Sequence, residues 1–137
     1  MKRYLLIFLA IFGVDVLTKR LVLVACPRAV SLNHGISWSL LNSSNQFVRW
    51  LVIFLVAAFV VSFIFYTVRQ ARRGGSLWGE VLVLSGAIPN LIDRFVYGGV
   101  IDFIQLSVCG YAWPVFNVAD MAIVAGATLM LWKGIRS

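Results

Sequence analysis

The sequence predicts an all-α membrane protein with four transmembrane helices and a small β element on the outer face. Its 137 residues are 61% hydrophobic, and the mean hydropathy is +0.94. Soluble domains are closer to half apolar, whereas a spanning helix needs about 20 mostly apolar residues. Long apolar runs separated by short polar loops leave room for four such spans. We therefore expect residues 1–137 to form a single membrane domain.

The first span is predicted at about residues 4–26, after a basic start. Its second half carries Asp15, Thr18 and Lys19, which the i, i+3, i+4 spacing places on one helix face. We expect a structural ion pair between Asp15 and Lys19. A lipobox-like string ends at Cys26 and would fit a cleaved signal sequence instead, but charged residues interrupt the apolar run before that cysteine.

The segment that follows is the most polar of the chain. Pro27 ends the first helix, because it lacks a backbone donor. The partial alternation of polar and apolar residues from Ser31 to Ser39 predicts a short strand. His34 is the only histidine and is expected to be a solvated loop residue, since a metal site needs several suitably spaced ligands. No metal or other cofactor is expected.

Two further spans are predicted at residues 47–68 and 76–95, joined by a basic loop. Glu80 lies in the first turn of the third span, where a carboxylate complements the helix dipole. Pro89 should kink this helix, because it removes one hydrogen bond of the helical ladder.

Polar residues also gather around the end of the third span and the start of the fourth. Asn90, Asp93 and Arg94 follow the i, i+3, i+4 spacing of one helix face. The fourth span is predicted at residues 115–132, with Asn117 and Asp120 in its first turns. Between the two spans, the alternating residues Ile104 to Cys109 predict a strand at the membrane interface.

The basic residues indicate the orientation of the spans. With both termini inside, seven of the twelve Lys and Arg residues lie on the inner side and five on the outer side, as the positive-inside rule requires. The net charge of +7 is then explained by topology and lipid headgroups, and no nucleic-acid partner is expected. This orientation places Asp15, Asp93, Asp102 and Asp120 toward the outer side.

Asp102 and Asp120 are the candidate catalytic pair. Two neighbouring carboxyl groups can share one proton, so that one acts as acid while its partner acts as base on a water molecule. Such a pair can hydrolyse an amide without metal. The amide and guanidinium groups of Asn90, Arg94 and Asn117 could orient the carboxyls or hold substrate. Composition alone is also compatible with a non-enzymatic or proton-coupled small membrane protein on the same frame.

Two cysteines, Cys26 and Cys109, both fall on the outer side in this topology. A disulfide between them and two unpaired thiols are both compatible with the sequence.

Five short motifs occur in order along nearly the whole chain, and together they resemble those of the lipoprotein signal peptidase family, also called signal peptidase II. They are D-x-x-T-K at 15–19, N-x-G at 33–35, G-A-x-x-N-x-x-D-R at 86–94, V-x-D-F at 100–103 and F-N-x-A-D at 116–120.

The resemblance implies an aspartyl endopeptidase of the bacterial inner membrane. Such an enzyme cuts the signal peptide from a prolipoprotein just before a cysteine that carries diacylglycerol. The catalytic pair maps to Asp102 and Asp120. The residues that steady or contact substrate map to Asn33, Asn90, Arg94 and Asn117, and the supporting positions map to Asp15, Lys19, Gly35, Gly86 and Asp93.

The same resemblance carries expectations about topology and partners. Both termini should be cytoplasmic and the active site should face the periplasm. The cyclic peptide globomycin should occupy the substrate groove, and the protein should act as a monomer among membrane lipids. A small outer sheet should cradle the substrate.

Two departures from the family pattern bear on substrate preference rather than on reaction class. After N-x-G the family usually has Ala and Phe, where this chain has Ser37 and Trp38. Pro89 replaces a glycine and could shift Asn90 and Arg94.

Overall fold

The computed structural model describes residues 1–35 and 45–136 of the chain. This part contains four long helices: α1 (Lys2–Ala25), α2 (Gln46–Arg72), α3 (Trp78–Tyr97) and α4 (Val118–Arg136). It also contains four short strands: β1 (Ser31–Asn33), β2 (Val100–Asp102), β3 (Ser107–Val108) and β4 (Tyr111–Ala112). The residues Ser37 and Trp38, and the second half of the strand predicted at 31–39, lie outside the described residues.

Each predicted span overlaps one helix, with shifted ends. The helix α2 continues to Arg72, four residues beyond the predicted end, because the first helix-breaking residue is Gly74, in the left-handed conformation with φ +73°. The helix α4 begins at Val118 rather than at residue 115. The helix α3 runs continuously through Pro89 and stops at Gly98, whose φ of 75° is the left-handed cap common at helix ends.

The strands correct two expectations. The prediction of one strand over Ile104–Cys109 was wrong in extent. Ile104 forms an isolated bridge with Phe116, and only Ser107–Val108 pairs in a hairpin, with Tyr111–Ala112. The strand β2, which carries Asp102, was not predicted; it pairs antiparallel with β1 across a long sequence separation.

The helices bury several charged and polar side chains among apolar ones and expose many large apolar side chains. Aspartate, lysine, glutamate, asparagine and arginine side chains are buried in α1 and α3. Large apolar side chains are exposed on all four helices, for example Leu6, Phe54, Phe95 and Leu131. Buried charges together with a largely apolar exposed surface are unusual for a soluble domain and suit a lipid surrounding. Among the described residues, α2 and α4 are long and apolar enough to cross a membrane. The four-span arrangement stays a prediction.

The helix α3 lies at the centre, in contact with the other three helices. Glycines let α3 and α4 approach closely. A methyl group on Gly86 would overlap the carbonyl oxygen of Ala119, and one on Gly126 would lie 2.6 Å from the carbonyl oxygen of Gly79. The contact at Gly86 fixes the start of α4 against the middle of α3.

Candidate active site

The small β1–β2 sheet positions Asp102. The antiparallel register sets Asn33 opposite Val100, so Asn33 and Asp102 lie diagonally on the same face of the sheet. The Asn33 side-chain amide donates to Oδ2 of Asp102 at 3.1 Å. The Asp102 side chain is buried, with 2% of the residue exposed. The sheet therefore holds this carboxyl inside the bundle while its strand lies beyond the end of α3.

The first turn of α4 positions Asp120 through a reciprocal capping arrangement. Asn117, just before the helix, accepts a hydrogen bond on its side-chain oxygen from the Asp120 N–H at 2.8 Å. In return, the Asn117 N–H donates to Oδ2 of Asp120 at 3.2 Å. Two backbone donors that a helix start leaves unpaired are thus satisfied. This cap explains why α4 begins at Val118.

Asn117 connects the two carboxyl groups. Its side-chain nitrogen donates to Oδ1 of Asp102 at 2.7 Å, while its main-chain nitrogen donates to Asp120. A second asparagine, Asn90, donates from Nδ2 to Oδ1 of Asp120 at 2.8 Å. Each of the four carboxyl oxygens therefore accepts one hydrogen bond from an amide. The two aspartates are brought to one place and their orientations are fixed.

A buried lysine fixes the orientation of Asn90. Lys19 Nζ lies 2.7 Å from Oδ2 of Asp15, 2.7 Å from Oδ2 of Asp93 and 2.9 Å from Oδ1 of Asn90. Three oxygen atoms thus surround the ammonium group, which carries three hydrogens and no acceptor. Because Lys19 needs an oxygen at Asn90, the amide nitrogen of Asn90 must point to Asp120. The predicted ion pair between Asp15 and Lys19 is thus confirmed, and it is part of a larger cluster.

Asp15 ties α1 to the start of α4. Its Oδ1 accepts a hydrogen bond from the Ala119 N–H at 2.8 Å, and the Asp15 side chain is fully buried. A carboxylate beside the first turn of a helix also interacts favourably with the helix dipole. Asp93, from α3, accepts from the Ile101 N–H in β2 at 3.5 Å. The supporting aspartates thereby anchor the two segments that carry Asp102 and Asp120.

Arg94 holds the loop after β1. Its Nη2 donates to the carbonyl oxygen of Gly35 at 2.6 Å, and the Gly35 N–H donates to the Asn33 side chain at 3.0 Å. The guanidinium Nε is buried and has no hydrogen-bond partner among the described residues. Among the described residues, the Nε–H of Arg94 is therefore a donor without an acceptor.

The sequence did not predict the part played by His34. His34 lies in a loop, as expected, but it is only partly exposed, and its Nδ1 donates to the carbonyl oxygen of Gly98 at 2.9 Å. The neighbouring Gly99 has no room for a side chain, since a methyl group there would lie 2.9 Å from the Asn33 carbonyl oxygen. In the sequence, the Gly98-Gly99 pair is the one feature that points to this close contact.

The electrostatic surroundings of Asp102 favour its protonated form. Burial raises the pKa of Asp102 to about 7, and the nearby Asp120 carboxylate adds to the rise. Hydrogen bonds from Asn33 and Asn117 oppose this effect because they stabilise the ionised form. At neutral pH the pair can therefore hold one proton, which lets one carboxyl donate and the other accept.

All the predicted site residues in the described part of the chain lie in or beside one network, including Gly86 at the α3–α4 contact. Cys26 and Cys109 are free and exposed. Of the two possibilities that the sequence left open, the structure therefore has two unpaired thiols and no disulfide between them. In the ranges 1–35 and 45–136, no three His, Cys, Asp or Glu side chains are grouped as metal ligands.

A family model described as "Signal peptidase (SPase) II" matches residues 7–136, which is nearly the whole chain. The chain belongs to the signal peptidase II family. It is similar to the lipoprotein signal peptidase of Xylella fastidiosa (strain M12), at 38% identity over 138 residues covering 90% of this chain and 83% of the relative. It is also similar to that of Azoarcus sp. (strain BH72), at 31% identity covering 98% and 83% of the respective chains.

The fold agrees with this signal peptidase II assignment. A bacterial membrane enzyme solved at 2.3 Å by the in meso method superimposes with a TM-score of 0.76, at 23% identity, over 99% of this chain and 89% of that chain. Signal peptidase II is a membrane peptidase that removes signal peptides from prolipoproteins. Family membership therefore favours the peptidase over a non-enzymatic or proton-coupled protein.

Proposed function

We propose that this signal peptidase II is an aspartic endopeptidase in which Asp102 and Asp120 activate one water molecule. A single observation carries the proposal. Asn117 donates from its side chain to Asp102 at 2.7 Å and from its main chain to Asp120 at 3.2 Å, so one residue sets both carboxyls. The two candidate acid–base groups thus share a scaffold that is independent of substrate.

The proposed reaction uses one proton on the pair. Asp102, with a pKa of about 7, is protonated at the start, and Asp120 is ionised. Asp120 takes a proton from water as the water oxygen attacks the scissile carbonyl, while Asp102 gives its proton to the carbonyl oxygen. The tetrahedral intermediate then collapses, the amide nitrogen leaves with the proton held by Asp120, and Asp102 regains one from the intermediate.

The residues around the pair supply donors for the substrate backbone. Within residues 1–35 and 45–136, Arg94 Nε has no hydrogen-bond partner, and the side-chain amides of Asn33 and Asn117 donate to Asp102. We assign substrate binding to these residues and to Asn90. Asp15, Lys19 and Asp93 keep Asn90 and the start of α4 in place. Gly35 accepts a hydrogen bond from Arg94, and Gly86 allows the close approach of α3 and α4.

The proposed substrate is a prolipoprotein whose cysteine carries diacylglycerol, cut immediately before that cysteine. The enzyme would act as a monomer with four spans in the bacterial inner membrane, both termini cytoplasmic and the carboxyl pair toward the periplasm. The apolar helix surfaces support this placement, since the lipidated cysteine can then approach from the bilayer. Globomycin should compete for the same groove.

The test is cleavage of a purified diacylglyceryl-modified prolipoprotein, followed by gel shift with and without globomycin. Asp102→Asn and Asp120→Asn should each lower the rate by about 10²-fold or more, because each removes an acid–base group. Glu80→Gln is the matched control, since it also changes a buried carboxyl to an amide but lies at the opposite end of α3. It should cleave at the parent rate.

Each variant should insert and elute as the parent chain does. Parent-rate cleavage by either aspartate variant would overturn the dyad assignment, while loss of activity in the Glu80→Gln control would show that the assay reports a folding defect instead.

A further inference from the structure

A second polar feature lies at the end of the bundle away from the carboxyl pair. A cavity of about 220 Å³ is lined by side chains of α2, α3 and α4: Tyr66, Gln70, Glu80, Met130, Lys133 and Gly134. Along α3, Glu80 is about 20 Å from Asp93, and along α4, Lys133 is about 20 Å from Asp120. The cavity therefore cannot belong to the site already described.

The buried carboxyl of Glu80 faces this cavity without a partner. Glu80 is only 2% exposed. In the parts of the chain described, it makes no hydrogen bond or ion pair. A buried carboxylate is costly unless a cation or a hydrogen-bond donor reaches it. The side chain thus indicates a site for a positively charged donor group.

An opposite charge lines the same cavity without touching Glu80. Lys133 donates from Nζ to the carbonyl oxygen of Ser76 at 2.9 Å, and its ammonium has further hydrogens to give. It forms no ion pair with Glu80 among the described contacts. One carboxylate and one ammonium separated by a cavity suit a zwitterion, whose cation meets the former and whose anion meets the latter.

The surroundings indicate that the zwitterion is a lipid headgroup. Exposed aromatic side chains mark this end of the helices: Tyr66, Trp78 and Trp132. Such residues are enriched where a helix meets the membrane–water interface. Basic residues follow in the last turns of α2 and α4, as expected beside phosphate groups. The cavity is therefore at the depth of the headgroup layer, between two apolar helices.

We propose that this cavity binds the headgroup of an aminophospholipid, with the primary ammonium at Glu80 and the phosphate at Lys133. A primary ammonium offers three donors to a carboxylate, whereas a trimethylammonium offers none. The site should therefore prefer ethanolamine over choline headgroups. The proposal does not depend on the catalytic assignment, because the cavity shares no residue with that site.

Native mass spectrometry of the purified chain can test this preference with phosphatidylethanolamine and phosphatidylcholine of identical acyl chains. The parent chain should bind the ethanolamine lipid about tenfold more tightly, the value of one charge-assisted hydrogen bond. Glu80→Gln should bind both lipids equally. The matched control is Arg73→Gln, an exposed basic residue at the same end that does not line the cavity; it should keep the preference.

A second variant covers the case in which Glu80→Gln does not fold. Lys133→Gln should weaken the binding of both lipids by the same factor, since both carry phosphate. The ratio of the two affinities should therefore stay as in the parent chain. Soluble O-phosphoethanolamine at equal concentration should bind more weakly than the lipid. Equal binding of the two lipids by the parent chain, an unchanged preference in folded Glu80→Gln, or soluble headgroup binding as tight as lipid would each overturn the proposal.

Discussion

At the scale of single residues, the protonation of Asp102 sets a pH limit on the enzyme. Its pKa of about 7 in the folded chain means that it loses its proton as pH rises through neutrality. We expect kcat/KM to fall above about pH 7, because the pair then lacks its shared proton. The measurement is the initial cleavage rate against pH, with melting curves at each pH. A rate that keeps rising through pH 8 would contradict the assignment of Asp102 as the acid.

The same shift affects stability with a definite sign. The folded pKa of Asp102 lies above its ordinary value of 3.8, so the folded chain binds more protons than the unfolded chain between these values. The contribution of Asp102 to the free energy of unfolding is therefore most favourable below about pH 4 and is lost as pH rises toward about 7. Replacing Asp102 by Asn should flatten this slope in the melting temperature.

Lys19 should be a positioning residue whose loss damages both stability and rate. Lys19→Met leaves Asp15 and Asp93 buried without their cation, which typically costs about 3–5 kcal/mol. It also frees Asn90 to rotate away from Asp120, so the substrate KM should change less than kcat. The control is Arg20→Met, an exposed neighbour on the same helix. Thermal melts and single-turnover cleavage measure both effects, and a Lys19→Met chain that matches the Arg20→Met chain would contradict this role.

The sequence indicated which residues belong to the site, but it could not indicate which of their atoms form hydrogen bonds with one another. The helical spacing of Asn90, Asp93 and Arg94 correctly predicts one polar face, because the period of a helix is fixed. It cannot show that Asn117 also contacts Asp102 and Asn90, since these contacts join residues 15 and 27 positions apart. They depend on how the helices pack, which local periodicity does not encode.

At the scale of secondary-structure elements, the long helices were predictable and the short strands were not. A long apolar run of about 20 residues has few possible structures other than a helix. The strand β2, by contrast, has three residues and forms only because β1, about 69 residues earlier in the chain, lies beside it. A three-residue segment carries too little pattern to distinguish a strand from a turn, which is why the strand that carries Asp102 was not predicted.

The contact between α3 and α4 should be intolerant of even one methyl group. Gly86→Ala would place Cβ against the Ala119 carbonyl oxygen, so α4 must move and carry Asp120 with it. Overpacking of this kind costs about 1–3 kcal/mol, and cleavage should fall with it. Gly13→Ala is the matched control, because no atom lies within 4 Å of the added methyl group and alanine favours a helix.

Melting temperature and kcat for the two alanine variants decide this prediction. Gly13→Ala should be as stable as the parent chain or slightly more so. If Gly86→Ala behaves like Gly13→Ala in both measurements, the close approach does not position Asp120.

At the scale of the whole molecule, the charged groups form two clusters at opposite ends of the helices, and we assign a different function to each. One end carries the ion cluster and the carboxyl pair; the other carries the cavity at Glu80 and the basic helix ends. Apolar helix surfaces connect them. In a bilayer such a chain must place both ends at interfaces, since neither cluster can be in contact with lipid tails.

The native thiols can test the orientation of the four predicted spans. Cys26 and Cys109 are free and exposed, and both belong to the end that carries the carboxyl pair. In intact spheroplasts, a membrane-impermeant maleimide should therefore label both from outside. An Arg73→Cys variant lacking the two native thiols provides the opposite control, because it should react only after permeabilisation. Labelling of Arg73→Cys in sealed cells, with protection of Cys26 and Cys109, would reverse the topology and place the carboxyl pair on the cytoplasmic side.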